Sequence, residues 1–79
     1  MPEIKWDIKK TLGPIGDSSG GWKKEVNIVS WNDRAAKIDI RPWDPEHKKM
    51  GKGITLNKEE ALALKAILNE TDFNELEIS

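Results

Sequence analysis

The chain has 79 residues, no cysteine, one histidine and a net charge of −1. One domain, 1–79, is the expectation at this length. Disulfides and thiolate metal sites are excluded, and His47 alone does not make a zinc centre, so no metal and no cofactor are expected. No long apolar run or secretory segment is present, which argues for a cytoplasmic protein without a membrane partner. A single core this small stabilises by only ~3–5 kcal/mol, so association with a second copy is the remaining common way to enlarge it.

The charge is unevenly spread. Residues 1–58 hold 12 Lys/Arg against 8 Asp/Glu, and residues 59–79 hold one Lys against six acids. Local field, not the sum, governs contact with an anionic partner. Four tryptophans with one Phe and no Tyr exceed what a small core uses, and surplus Trp points to a binding surface.

Ile4, Trp6 and Ile8 alternate with Lys5, Asp7 and Lys9, which predicts a first strand ending near Leu12. Residues 13–21, rich in Gly and Ser, read as a long loop. A second strand follows over Trp22–Trp31. Val26 and Ile28 share one face; Lys23, Glu25, Asn27 and Trp31 share the other, with Val29 among them. That misplaced Val predicts a bulge or a face covered on both sides. Residues 32–36 are the turn into a third strand, Lys37–Trp43, where Ile38 and Ile40 oppose Lys37, Asp39 and Arg41. Pro42 cannot donate to a ladder and belongs at an edge, a bulge or the strand end. After a polar turn, Lys52–Leu56 reads as a fourth strand. By simple parity Lys52 shares the face of Ile54 and Leu56; a bulge at Gly53 would turn it over.

Asn57, with Glu60 three residues on, has capping-box spacing and opens a helix. Ala61, Leu64, Ile67 and Leu68 form its apolar stripe, and Asn69 is the expected C-cap. Residues 70–79 form an acidic tail with fraying as the expectation. The order ββββα predicts an α+β fold, a four-stranded antiparallel sheet with one C-terminal helix.

Trp31, Lys37, Arg41 and Trp43 fall on one sheet face. Aromatic rings accept any base at ~1–3 kcal/mol each while cations follow phosphates, so such a face suits single-stranded nucleic acid. The competing reading is two buried Trp beside solvated cations, and the pattern alone leaves both open. Lys48, Lys49 and Lys52 lack the spacing of a P-loop. His47 reads as a loop residue without chemistry, and Asp39 as half of a local ion pair. With no nucleophile, acid–base pair or metal constellation, an enzyme is not expected.

The run IDIRPWDPEHKKMGKGITLNKEE, preceded by GWKKEVNIVSWND, resembles the positive cofactor four family of transcriptional coactivators, in particular its small bacterial members that bind single-stranded DNA. The likeness covers roughly residues 21–60. It implies a strongly twisted four-stranded sheet, a homodimer with helices at the interface, single-stranded DNA and transcription machinery as partners, and a nucleoid-associated place in the cytoplasm. Arg41 matches the arginine of the I-D-I-R strand, a DNA contact. Trp43 matches the aromatic that follows and stacks on bases, and Lys52 the lysine before G-I-[ST]-L. Trp31 falls near the aromatic ending the preceding strand, and Lys23 and Lys24 where the family places basic residues. The expected function is sequence-tolerant single-stranded DNA binding by these six residues together with Lys37. The alternative is a protein-interaction or transcription-cofactor module with weak nucleic-acid binding, RNA included.

Overall fold

The computed structural model describes residues 4–77. Strands β1 (Trp6–Asp17), β2 (Lys23–Trp31), β3 (Lys37–Trp43) and β4 (Ile54–Leu56) precede one helix, α1 (Lys58–Glu70). The strands lie in sequence order and every neighbouring pair is antiparallel. The ββββα order and the α+β class agree with the sequence.

The first strand runs five residues beyond the expected end, through segment 13–17 that reads as loop. Its pairing with β2 slips three times, after Ile8, Thr11 and Pro14. Each slip absorbs an extra residue and bends the strand. Gly13, at φ 150, supplies a conformation that side-chain-bearing residues rarely adopt. Pro14 is tolerated because β1 is an edge strand. The remaining connection is a single 3-10 turn, Ser19–Gly21.

The β2–β3 register is regular, with Lys23 opposite Trp43, Glu25 opposite Arg41, Asn27 opposite Asp39 and Val29 opposite Lys37. Val29 therefore needs no bulge: its face is covered. Pro42 sits one residue from the end of β3, beyond the β4 pairing, which covers Ile38–Ile40. There the Gly51 amide donates to the Pro42 carbonyl at 2.9 Å. The fourth strand is shorter than expected. Lys52 and Gly53 precede it, because Gly53 lies flat on β3: a Cβ there would collide with the Ile40 carbonyl oxygen and Arg41 Cβ. This close approach carries Lys52 away from the aliphatic side.

Alternation then gives two unlike faces. Val26, Ile28, Ile38, Ile40 and Leu56 form the aliphatic face, against which Ala61, Leu64 and Leu68 of α1 lie. The helix opens as the sequence predicts. Asn57 Oδ1 accepts from the Glu60 amide at 2.8 Å, and Glu60 Oε1 accepts from the Asn57 amide at 2.9 Å. It ends two residues later than expected, at a C-cap on Thr71, whose hydroxyl donates to the Ile67 carbonyl at 2.6 Å. In the tail, residues 73–77 form turns; its last two residues, 78–79, lie outside the described residues.

The helix covers the aliphatic face thinly. Leu62, Ile67 and Leu68 stay 45–61 % exposed, as does Ile54. The radius of gyration, 14.3 Å, exceeds the roughly 11–12 Å of a compact domain of this length.

Candidate nucleic-acid interface

The opposite face carries the chemistry. In register it presents Lys23, Glu25, Asn27, Val29 and Trp31 from β2, Lys37, Asp39, Arg41 and Trp43 from β3, and Thr55 from β4. It divides into two hollows. The larger, of about 660 Å³, gathers Trp31, Arg34, Lys37, Arg41, Lys52 and Thr55, with Ile4, Ala35, Met50 and Gly51. Among the described residues, no carboxylate lines it. The smaller, of about 370 Å³, lies at the other end of β2 and includes Lys23, Glu25, Trp43, Asp44 and His47.

The larger cleft is shaped by the β2–β3 hairpin. Asn32 and Asp33 have φ 52 and 62, and the Arg34 amide donates to the Trp31 carbonyl at 3.0 Å. Two consecutive left-handed residues closed this way make a type I′ turn, the tight connection that matches strand twist. Ser30 Oγ fixes it by donating to the Arg34 carbonyl at 2.6 Å. Asn32 ties the turn to the start of the first strand, its amide donating to the Lys5 carbonyl and its Oδ1 accepting from the Lys5 amide. The turn brings Arg34 back beside Trp31. Arg34 was absent from the expected site residues; a cation placed just after an Asn-Asp turn was the available signal.

Arg41 departs from its expected role as a free cation for phosphate. Its Nε donates to both Asp39 carboxylate oxygens, at 2.9 and 2.7 Å, and Nη2 reaches Oδ1 at 2.7 Å. Asp39 is fully buried and the Arg41 side chain only 14 % exposed. The guanidinium carbon stands 4.5 Å from the centre of the Trp31 ring, a cation–π distance. A buried carboxylate thus balances this charge, and moving Arg41 to a phosphate would strand Asp39 unpaired.

Trp43 also departs from expectation. It is fully buried, with Trp6 at 6.0 Å and His47 at 5.6 Å between ring centres. The bent first strand brings Trp6 over it. No free ring face is left for a base, and Trp43 with Val29 forms the floor of the interface. His47 likewise does more than fill a loop: Nε2 donates to Glu25, at 2.8 and 2.9 Å from its two oxygens. Asn27 Nδ2 reaches the same carboxylate at 3.2 Å. Asp44 holds the turn that carries His47, accepting from the Lys48 and Lys49 amides at 2.7 and 3.1 Å. Those bonds, the Lys49 one foremost, keep its carboxyl below the usual range.

Of the seven expected residues, the cleft therefore unites Trp31, Lys37, Arg41 and Lys52. Lys23 lies at the second hollow. Lys24 has the register of Val26, on the aliphatic side. Trp31 is half-buried, and its indole N–H has no acceptor among the described residues.

Residues 18–67, more than half of the chain, match the family described as Transcriptional Coactivator p15 (PC4). The chain belongs to the PC4 family. A Treponema pallidum (strain Nichols) protein, described as an uncharacterized protein, is 40% identical over 67 residues, covering 85% of this chain and 79% of that one. PC4 proteins are non-enzymatic and act in DNA binding and transcriptional coactivation. The family match spans the entire hairpin, most of α1 and the lining of both hollows apart from Ile4 in the larger and Thr11 and Pro14 in the smaller. No described helix is long and apolar enough to cross a membrane.

Proposed function

We propose that this PC4 protein binds single-stranded DNA with little sequence preference, as a cytoplasmic homodimer that serves transcription or DNA maintenance. The observation that carries the reading is the larger cleft, where Trp31 stands among Arg34, Lys37 and Lys52 with no carboxylate among the described lining residues. Cations track phosphates and the indole takes a base face, which a duplex hides and a single strand offers. Two copies joined through the exposed Ile54, Leu62, Ile67 and Leu68 would cover the aliphatic face and enlarge a small core.

The test is intrinsic tryptophan fluorescence during titration with oligo-dT, a matched oligo-U and a duplex of equal length, at several salt concentrations. Each neutralised phosphate contributes about −0.7 to the slope of log K against log salt for a single strand. Arg34, Lys37 and Lys52, with Lys23 at the far hollow, predict roughly −2 to −3 per protomer. Strong quenching by oligo-dT and a weak duplex response support the reading. A slope near zero removes its electrostatic half. No response to any nucleic acid moves the function to a protein-interaction module.

A further inference from the structure

We propose that Asp39 fixes Arg41 as a lid on Trp31, so that the platform offered to a nucleobase is the joined guanidinium–indole pair and Arg41 is a positioning residue that neutralises no phosphate. The inference rests on the single-strand reading above and adds which groups build its stacking surface.

The argument starts from strand geometry. Residues two apart on a strand share a face, so Asp39 and Arg41 stand side by side on β3. Arg41 is directly opposite Glu25, whereas Trp31 lies six residues further along β2. Yet the guanidinium stands 4.5 Å from the Trp31 ring centre. Arg41 reaches it by lying back along the strand toward the hairpin, and the buried Asp39 carboxylate is what draws it there through three N···O contacts of 2.7–2.9 Å. Nη1 is directed to Met50 Sδ at 3.6 Å. Glu25, the cross-strand neighbour that could compete for Arg41, is held by His47 and Asn27 instead.

The chemistry requires arginine. Its planar group offers one edge to a carboxylate and one face to an aromatic ring at the same time; an ammonium is a point charge without such an edge or face. With its charge matched by Asp39, Arg41 releases no counterion on binding. It covers one indole face and sets the tilt of the ring, leaving a rigid plane in the cleft on which a base can stack. The phosphate contacts then belong to Arg34, Lys37 and Lys52.

Two measurements separate this clamp from the parent reading. In the free protein, NMR of the Arg41 Nε–H should find an upfield ring-current shift and slow exchange with water, both lost in Asp39→Asn. An Nε–H that exchanges as fast as a solvent-exposed arginine overturns the clamp, whether or not the strand binds. In oligo-dT titrations, Asp39→Asn and Arg41→Lys should each weaken binding roughly tenfold, about one stacking contact, with the salt slope unchanged. Lys52→Gln is the reference, and should lower the slope by about 0.7. Tighter binding and a slope steeper by about 0.7 in Asp39→Asn would mean that Arg41 is a masked phosphate ligand, and would overturn the proposal. Wild-type affinity in Arg41→Lys would overturn it too, and that variant keeps the test decisive if Asp39→Asn does not fold. Wild-type protein that ignores oligo-dT while the Nε–H is protected would defeat the single-strand reading and the base-positioning role together, leaving the clamp as a structural ion pair.

Discussion

The two faces of the sheet invert the usual relation between hydropathy and burial. The aliphatic face holds Val26, Ile28, Ile38, Ile40 and Leu56, and all are only half-buried. The polar and aromatic face holds the fully buried side chains, Val29, Trp43, Asn27 and Asp39. The difference comes from curvature. Bulges in the first strand bend the sheet over its own polar face, and Trp6 closes on Trp43. On the other side a single thirteen-residue helix is too narrow to cover four strands. One face thus finishes itself with an internal network, and the other stays partly open, with Ile54, Leu62, Ile67 and Leu68 exposed.

Four experiments would break or sharpen this contrast. Trp43→Ala removes the floor of the self-completed face and should destabilise by ~3–5 kcal/mol in urea unfolding. A loss under about 1 kcal/mol would show that Trp43 is not core and would return it to the stacking surface. Gly53→Ala forces a methyl onto the Ile40 carbonyl and the Arg41 stem, at a cost of roughly 1–3 kcal/mol. A neutral result, read by thermal melting, would mean that the path carrying Lys52 into the cleft adapts freely.

Ile67→Asp probes the other face. Ile67 is 61 % exposed, so folding should survive, while self-association should weaken at least about tenfold, or 1.4 kcal/mol. Sedimentation equilibrium reads this directly, and an unchanged dimer would place the interface elsewhere. The smallest effect is at Asp44. Its carboxyl is held below the ordinary range, so its contribution is present above about pH 4 and lost as pH falls through the lower folded value. The Lys48 and Lys49 amides should lose exchange protection in that window while the β2 amides keep theirs. Simultaneous loss would mean that the turn and the sheet open as one unit.

Much of the fold was legible in the sequence, because its signals are local. Alternation at Ile38 and Ile40 places the third strand, and the Asn57–Glu60 box starts the helix where the spacing predicts. Propensity and capping act over a few residues, so the chain need not be folded to show them. Segment 13–17 was not legible: Gly and Pro signal a break, and only pairing with β2 converts that break into bulges within a continuous strand. The helix end at Thr71 in place of Asn69 is of the same kind, decided by a hydroxyl reaching back to Ile67.

For the candidate site, sequence determined which side chains share a face and, through the I-D-I-R and K-G-I-T-L runs, the family. Tertiary structure decided how those side chains spend their charge and their surface. Arg41 and Trp43 look like free contacts when read along the strand, because period two reports direction and not depth. Once the sheet curls, Asp39 takes the charge of Arg41, Trp6 and His47 enclose Trp43, and Arg34 joins Trp31 across a turn. Those partners are two to thirty-seven residues apart in the chain, and only packing brings them together.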